Sequence, residues 1–261
     1  MENKTILLEV KNAGIQFGGL KAVQQLNMIL NHGELVGLIG PNGAGKTTSF
    51  NLLTGVYTPT EGVVLFNGDR LNGLAPYKVT RKGISRTFQN IRLFKELTVL
   101  ENVMVAYHSL ARHSIISSIL RFPSHFKGEE EMIRKSTKLL EIFKLEKYKN
   151  DLAKNLPYGQ QRRLEIARAL AAEPKLLLLD EPAAGMNPQE TKDLMDLISF
   201  IRKEFNLTIL LIEHDMNLVM GICERIYVLD HGQLLAEGTP EVIRNDPKVI
   251  EAYLGEEIRD A

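Results

Sequence analysis

Only one cysteine, Cys223, occurs in 261 residues, which excludes an internal disulfide framework and fits a reducing compartment. It reads as a small apolar filler on a helix, not as a redox or metal residue. Net charge is missing as well. The 32 basic and 32 acidic side chains cancel to +0, so no global field favours nucleic acid or an anionic membrane. Long apolar runs are absent: the longest, such as residues 176–179, fall far short of the roughly 20 residues that span a bilayer. No signal peptide is read in the opening Met1-Glu2-Asn3-Lys4-Thr5, so the chain is not expected to cross a membrane by itself. His108, His113 and His125 lack cysteine or carboxylate neighbours at metal-ligand spacing, and no metal is assigned to them. Internal repeats and low-complexity tails are lacking too. What remains is 44% hydrophobic and 25% charged, a balance suited to one large α/β domain or a core with a lobe.

Within that frame one stretch stands out. Gly40-Pro41-Asn42-Gly43-Ala44-Gly45-Lys46-Thr47 fits G-x-x-x-x-G-K-[ST], the phosphate-cradling P-loop. The apolar run 35–39 before it reads as a buried strand, and residues 48–53 after it, beginning at Thr48, read as the first turns of a helix. A polyanion there would meet backbone N–H groups and the positive end of the helix. Glycines let the backbone approach phosphate without a Cβ clash. Lys46 would neutralise the β- and γ-phosphates, and the Thr47 hydroxyl would hold Mg²⁺.

The rest of the chain arranges itself around this loop. Residues 5–10, 14–17 and 25–30 read as a small β layer, and 63–66 as a strand ending in a hairpin turn at Asn67-Gly68. Residues 91–165 turn helix-rich, with Met132, Ile133, Leu139, Leu140 and Phe143 at roughly helical spacing, and read as an inserted helical lobe. Within it, 102–128 carries no Asp or Glu but does carry Arg112, Arg121 and Lys127. Two readings of that stretch stay open: a variable lobe surface, or a contact to a membrane-embedded partner or lipid headgroups. Runs 176–179 and 208–212 read as buried parallel strands, followed by 226–229 and 234–236. Alternating strands and helices imply a mostly parallel sheet covered on both faces.

Two of these strands deliver chemistry. The run 176–179 ends in Asp180-Glu181, at the carboxyl end where an open α/β sheet places ligands. Asp180 would hold Mg²⁺ and Glu181 would polarise the attacking water. His214, flanked by Glu213 and Asp215, follows the strand 209–212 and could reach a γ-phosphate. Gly159 opens a further helix, 161–172, with Leu164, Ala167, Leu170 and Ala171 as its buried stripe. That makes a second anion-binding helix start. One nucleotide cannot use both starts in one subunit, but two subunits could share it.

These motifs in this order resemble an ATP-binding-cassette (ABC) subunit along nearly the whole chain. The resemblance implies an ABC-type P-loop core with a mostly parallel sheet, an N-terminal antiparallel β layer and an inserted helical subdomain. It divides the chain into a discontinuous core, 1–90 and 166–261, and a signature-bearing subdomain, 91–165. By the same resemblance Phe17 stacks on adenine, Gln89 lies near Mg²⁺, Gly159 and Gln160 belong to the signature motif, 184–187 form the D-loop, and His214 is the switch histidine. Pro157 and Tyr158 replace the usual Ser and first Gly of the signature, and Pro157 offers neither hydroxyl nor N–H. The D-loop ends in Asn187 where the family usually has Asp.

Residues 83–94, 158–167, Gly238-Thr239-Pro240 and 252–255 are similar to one branch, the larger cassette ATPase of bacterial branched-chain amino acid importers. That branch implies a peripheral ATPase on the cytoplasmic face of the inner membrane, with ATP and Mg²⁺ as cofactors. Its implied partners are integral permeases, a second cassette ATPase and a periplasmic solute-binding protein; Ile91, Leu93 and Phe94, just after Gln89, read either as the groove for a permease helix or as lobe core. Nucleic acid is not among them. Cassettes for urea or amide uptake and for lipopolysaccharide export are close relatives. Soluble non-transport cassettes usually carry paired cassettes, a coiled coil or a zinc insert. P-loop kinases and GTPases lack the signature and the histidine.

Overall fold

The computed structural model describes residues 5–110 and 123–257. Much of the basic stretch 102–128 falls outside them: the backbone of 111–122, and the side chains of 108–127 with His108, His113 and His125. The contacts divide the chain into two compact units, Met1–Arg86 with Lys175–Ala261, and Thr87–Pro174.

The first unit holds two sheets. One is antiparallel, in the order β2 (Leu20–Asn31), β1 (Ile6–Phe17), β4 (Glu61–Phe66), β5 (Asp69–Arg70). The sequence suggested two segments, 5–10 and 14–17, where the structure has the single strand β1. Asn12 supplies the join: it takes the left-handed conformation at φ 48°. The register shifts there, and its side chain pairs with Asn27, Nδ2 of Asn27 donating to Oδ1 of Asn12 at 2.9 Å. A bulge bends the strand without ending it. Asn67 and Gly68, both at positive φ, close the hairpin from β4 to β5 as their residue types require.

The other sheet has six strands in the order β10 (Gln233–Gly238), β9 (Arg225–Asp230), β3 (Leu35–Ile39), β8 (Thr208–Ile212), β7 (Leu176–Asp180), β6 (Ile84–Arg86). From β9 to β6 all pairings are parallel, and β10 is antiparallel to β9. Every residue of β3, β7 and β8 is buried, which is why these strands read as unbroken apolar runs. A core of Leu8, Val10, Leu26 and Phe66 from the antiparallel sheet and Leu38, Leu178, Leu210 and Tyr227 from the parallel one takes in Phe50 and Leu53 of α1 (Lys46–Leu53). The Tyr227 hydroxyl clips the sheets together, accepting from the Ile29 N–H and donating to its carbonyl, both at 3.1 Å. The remaining helices of this unit are α2 (Pro76–Lys82), α6 (Pro188–Glu204), α7 (Met216–Ile222), α8 (Pro240–Arg244) and α9 (Pro247–Glu257). Cys223, at the end of α7, is buried and its Sγ lies against Gly37.

The second unit is helical: α3 (Val99–Leu110), α4 (Pro123–Ile142) and α5 (Tyr158–Leu170). Of the apolar stripe expected on α4, Leu139 and Leu140 are buried, as is Phe143 just beyond its end, while Ile133 is 41% exposed and Ser136 takes an inward position. Asn102 on α3 pins the loop before it. Its Oδ1 accepts from the Phe94 N–H at 2.9 Å, and its Nδ2 donates to the carbonyls of Phe94 and Thr98 at 3.0 and 2.9 Å. No helix among the described residues is long and apolar enough to cross a membrane.

Candidate nucleotide site

Three adjacent parallel strands of the first unit, β3, β8 and β7, end together, and the P-loop, His214 and the Asp180-Glu181 pair follow them. Residues 40–45 join the buried strand β3 to α1. Gly40 is obligatory, because at φ +149° an added Cβ would come 2.0 Å from the Leu229 carbonyl oxygen. Asn42 and Gly43 at the loop tip are exposed, Pro41 and Ala44 buried. Lys46 reaches back across the loop, its Nζ donating to the Gly40 carbonyl at 2.6 Å and to the Pro41 carbonyl at 2.8 Å. α1 has no acidic residue in its first turn and no side-chain cap, so its start is suited to an anion. Thr47 is exposed and Thr48 half-buried in that turn. Phe17, at the end of β1, is 44% exposed and meets Tyr57 edge-on, with ring centroids 5.1 Å apart.

Asp180 is buried and ion-paired with Arg86, Nη2 to Oδ2 2.7 Å. Arg86 also donates to Asn51 Oδ1 at 2.6 Å and lies over the Phe50 ring. One guanidinium therefore ties the end of β6 to α1 and to β7. Glu181 sits at φ 45°, a left-handed backbone that costs a non-glycine residue on the order of 1–2 kcal/mol. Its N–H donates to the Ile212 carbonyl at 2.9 Å. His214 is 67% exposed, with Nδ1 3.9 Å from Glu181 Oε2. Burial pushes the Glu213 carboxyl up, against the backbone N–H bonds of Ala183, His214 and Asp215 that hold it down. Asn187 caps α6: its Oδ1 accepts from Gln189 and Glu190 N–H at 3.0 Å, and Glu190 returns the bond. The side chain that departs from the family pattern thus has a helix-capping job that needs no charge.

The second unit carries Gln89, Gly159 and Gln160. Pro157 is the N-cap of α5, and its carbonyl accepts from Gln160 and Gln161. Gly159 and Gln160 lie in the first turn. Deeper in the helix, Arg162 and Glu165 are fully buried and paired at 2.8 Å. Arg162 donates to the carbonyls of Phe88 and Gln89 at 2.6 and 2.8 Å, and Glu165 accepts from the Arg92 N–H at 3.1 Å. Ile91 and Leu93 are half-buried, whereas Phe94 is exposed with the Arg168 guanidinium over its ring.

Sequence reasoning gave no role to Tyr57, Arg86, Arg162 or Glu165. Only a buried charge on an otherwise apolar helix stripe could have flagged the last two. Among the described residues no cluster of three His, Cys, Asp or Glu could cage a metal. The hydroxyl of Thr47 and carboxylate of Asp180 form an oxygen-only set, which fits a hard cation that keeps waters and phosphate oxygens as its other ligands.

A family model described as ABC transporter matches residues 23–184, and one described as branched-chain amino acid ATP-binding cassette transporter matches 233–258. The chain is 52% identical over 250 residues to the high-affinity branched-chain amino acid transport ATP-binding protein LivG of Escherichia coli (strain K12), covering 96% of this chain and 98% of LivG. The crystal structure of the ADP conformation of MJ1267, an ATP-binding cassette of an ABC transporter, matches with a TM-score of 0.84 and 34% identity, over 97% of this chain and 100% of that one. The dimeric post-hydrolysis state of the cassette MJ0796, bound to ADP and Pi, matches at 0.76 and 28%, over 90% and 99%. Because the ABC transporter match runs unbroken through both the P-loop and the Asp180-Glu181 strand end, this chain belongs to the ABC transporter family as an ATP-binding cassette.

Proposed function

We infer that this chain is the ATP-hydrolysing subunit of an importer that drives branched-chain or related amino acids through separate permease subunits. The observation that carries the hydrolytic part is the common end of β3, β7 and β8, where Lys46, Asp180, Glu181 and His214 follow adjacent strands. The likeness to LivG and the family match at 233–258 support the substrate class.

ATP phosphates would lie on the N–H groups of residues 43–48, with Lys46 turning from the Gly40 and Pro41 carbonyls to the β- and γ-phosphate oxygens. Phe17, braced by Tyr57, would stack on adenine. Mg²⁺, when bound, neutralises phosphate charge, and Thr47, Asp180 and Gln89 are the residues that would hold it. Glu181 orients the attacking water, and His214 beside it donates toward the γ-phosphate. Gly159 and Gln160 of a second cassette would cap the same nucleotide, a reading the dimeric MJ0796 structure supports. Residues 91–165 act as the lobe that couples the cassette to a permease, with the exposed Phe94 near Ile91 and Leu93 as the contact. A solute-binding protein completes the system outside the membrane, and the cassette works on the cytoplasmic face.

Deleting the gene and measuring uptake of radiolabelled leucine tests this reading. Loss of uptake restored by the wild-type chain but not by Glu181→Gln is expected, with permeases and a second cassette co-purifying. Unchanged uptake, with envelope-export components co-purifying, would overturn the import reading.

A further inference from the structure

The ladder between β7 and β8 ends at the pair Asp180 and Ile212, with one further backbone bond from the Glu181 N–H to the Ile212 carbonyl. Beyond that point the two chains diverge into loops that carry Glu181 on one side and His214 on the other. The Glu213 side chain spans the gap. The Glu213 carboxylate, 1% exposed, accepts the Ala183 N–H on Oε1 at 2.8 Å and the His214 and Asp215 N–H groups on Oε2 at 3.2 and 3.4 Å. Donors from both loops thus converge on one buried group. A buried carboxylate is a poor choice for stability alone, since desolvation opposes its charge. Its three amide partners match an arrangement in which geometry is what the charge secures.

We propose that Glu213 is a positioning residue for hydrolysis: it sets the spacing of Glu181 and His214 and makes the turn 181–187 and the switch loop move as one body. The assignment rests on the hydrolytic reading above. The Glu181 and His214 side chains lie 3.9 Å apart, and the Glu213 carboxylate holds the backbone of both loops that carry them. Ala183 also leads directly into residues 184–187, so a displacement of that turn reaches His214 through the same carboxylate.

Glu213→Gln keeps the size but brings an NH₂ group that faces N–H donors, so it can hold one loop and not both. Glu213→Asp keeps the charge and is too short to bridge. In the full chain, both variants are expected to lower kcat for ATP by about 10–100-fold, the scale of an ångström-level misplacement. KM for ATP should stay within about threefold, as for a loss confined to the transition state. Amide exchange at Ala183 and His214 should rise together in both variants. Thermal unfolding of Glu213→Gln should occur at or above the wild-type temperature. Unchanged kcat in either variant would overturn the assignment. So would a fall in kcat that merely follows a lowered unfolding temperature, or exchange that rises at one loop alone. Wild-type chain without turnover would remove the hydrolytic reading, and this assignment with it. Glu181→Gln in parallel is expected to bind ATP without hydrolysing it.

Discussion

In the proposed site the end of β3 would bind through its backbone, whereas the ends of β7 and β8 would act through side chains held by partners far along the chain. The P-loop needs glycines at defined positions, a lysine and a helix start, all within residues 40–48. Asp180 instead depends on Arg86, 94 residues away, and the turn after Glu181 depends on Glu213, 30 residues away. A site half made of backbone conformation is written locally and tolerates little. A site made of buried charges is written in the topology, and each charge is held by another.

The largest expected break in the side-chain half is Arg86→Met, which leaves the Asp180 carboxylate buried without its guanidinium. Removing one partner of a buried pair costs about 3–5 kcal/mol, which urea unfolding at fixed pH would register as a lowered midpoint. In the backbone half, Lys46→Ala should leave the fold intact, since Lys46 is half-buried at the start of α1 and its Nζ bonds the Gly40 and Pro41 carbonyls of the loop. ATP affinity should fall by roughly 10–100-fold, the worth of a charge-assisted bond. Equilibrium binding of a fluorescent ATP analogue checks it, and unchanged affinity would remove Lys46 from the phosphate site.

A smaller effect concerns pH. Burial raises the Glu213 carboxyl above its ordinary 4.5, so the folded state holds that proton more tightly than the unfolded state. The stabilisation this gives is fully present below 4.5 and is lost as pH rises through the folded value. Glu213→Gln should therefore gain unfolding temperature relative to wild type as pH rises across that window. The His214 ring and the Asp215 N–H face the same group and are common to both proteins, so the difference isolates Glu213. The smallest effect is at Cys223, whose thiol burial pushes up to about 12. The native protein at about pH 8, near the ordinary thiol pKa, should show no alkylation by iodoacetamide, with full labelling only after unfolding. Rapid native labelling would show that the end of α7 opens.

Buried parallel strands were legible because five-residue apolar runs have few other uses, and the hairpin at Asn67-Gly68 because its backbone admits few residue types. β6 was not, since three residues of an edge strand carry no pattern of their own. Asn12 looked like a break and is a bulge, because only the pairing with Asn27 reveals which. In the proposed site, Lys46 is flagged by its motif, and Asp180, Glu181 and His214 by lying at or just after the ends of apolar strands. Arg86, Arg162, Glu165 and the bridging role of Glu213 are not, because a lone charge reads as surface until the fold shows what it touches.

The central claim is that this cassette hydrolyses ATP at the shared end of β3, β7 and β8. Phosphate release from Mg·ATP by the purified full chain, wild type against Glu181→Gln, tests it most directly. The account predicts steady release by the wild type and a loss of about 10²–10⁴-fold in the variant, the range for a general base, with ATP binding retained. Release at the wild-type rate from Glu181→Gln would contradict it.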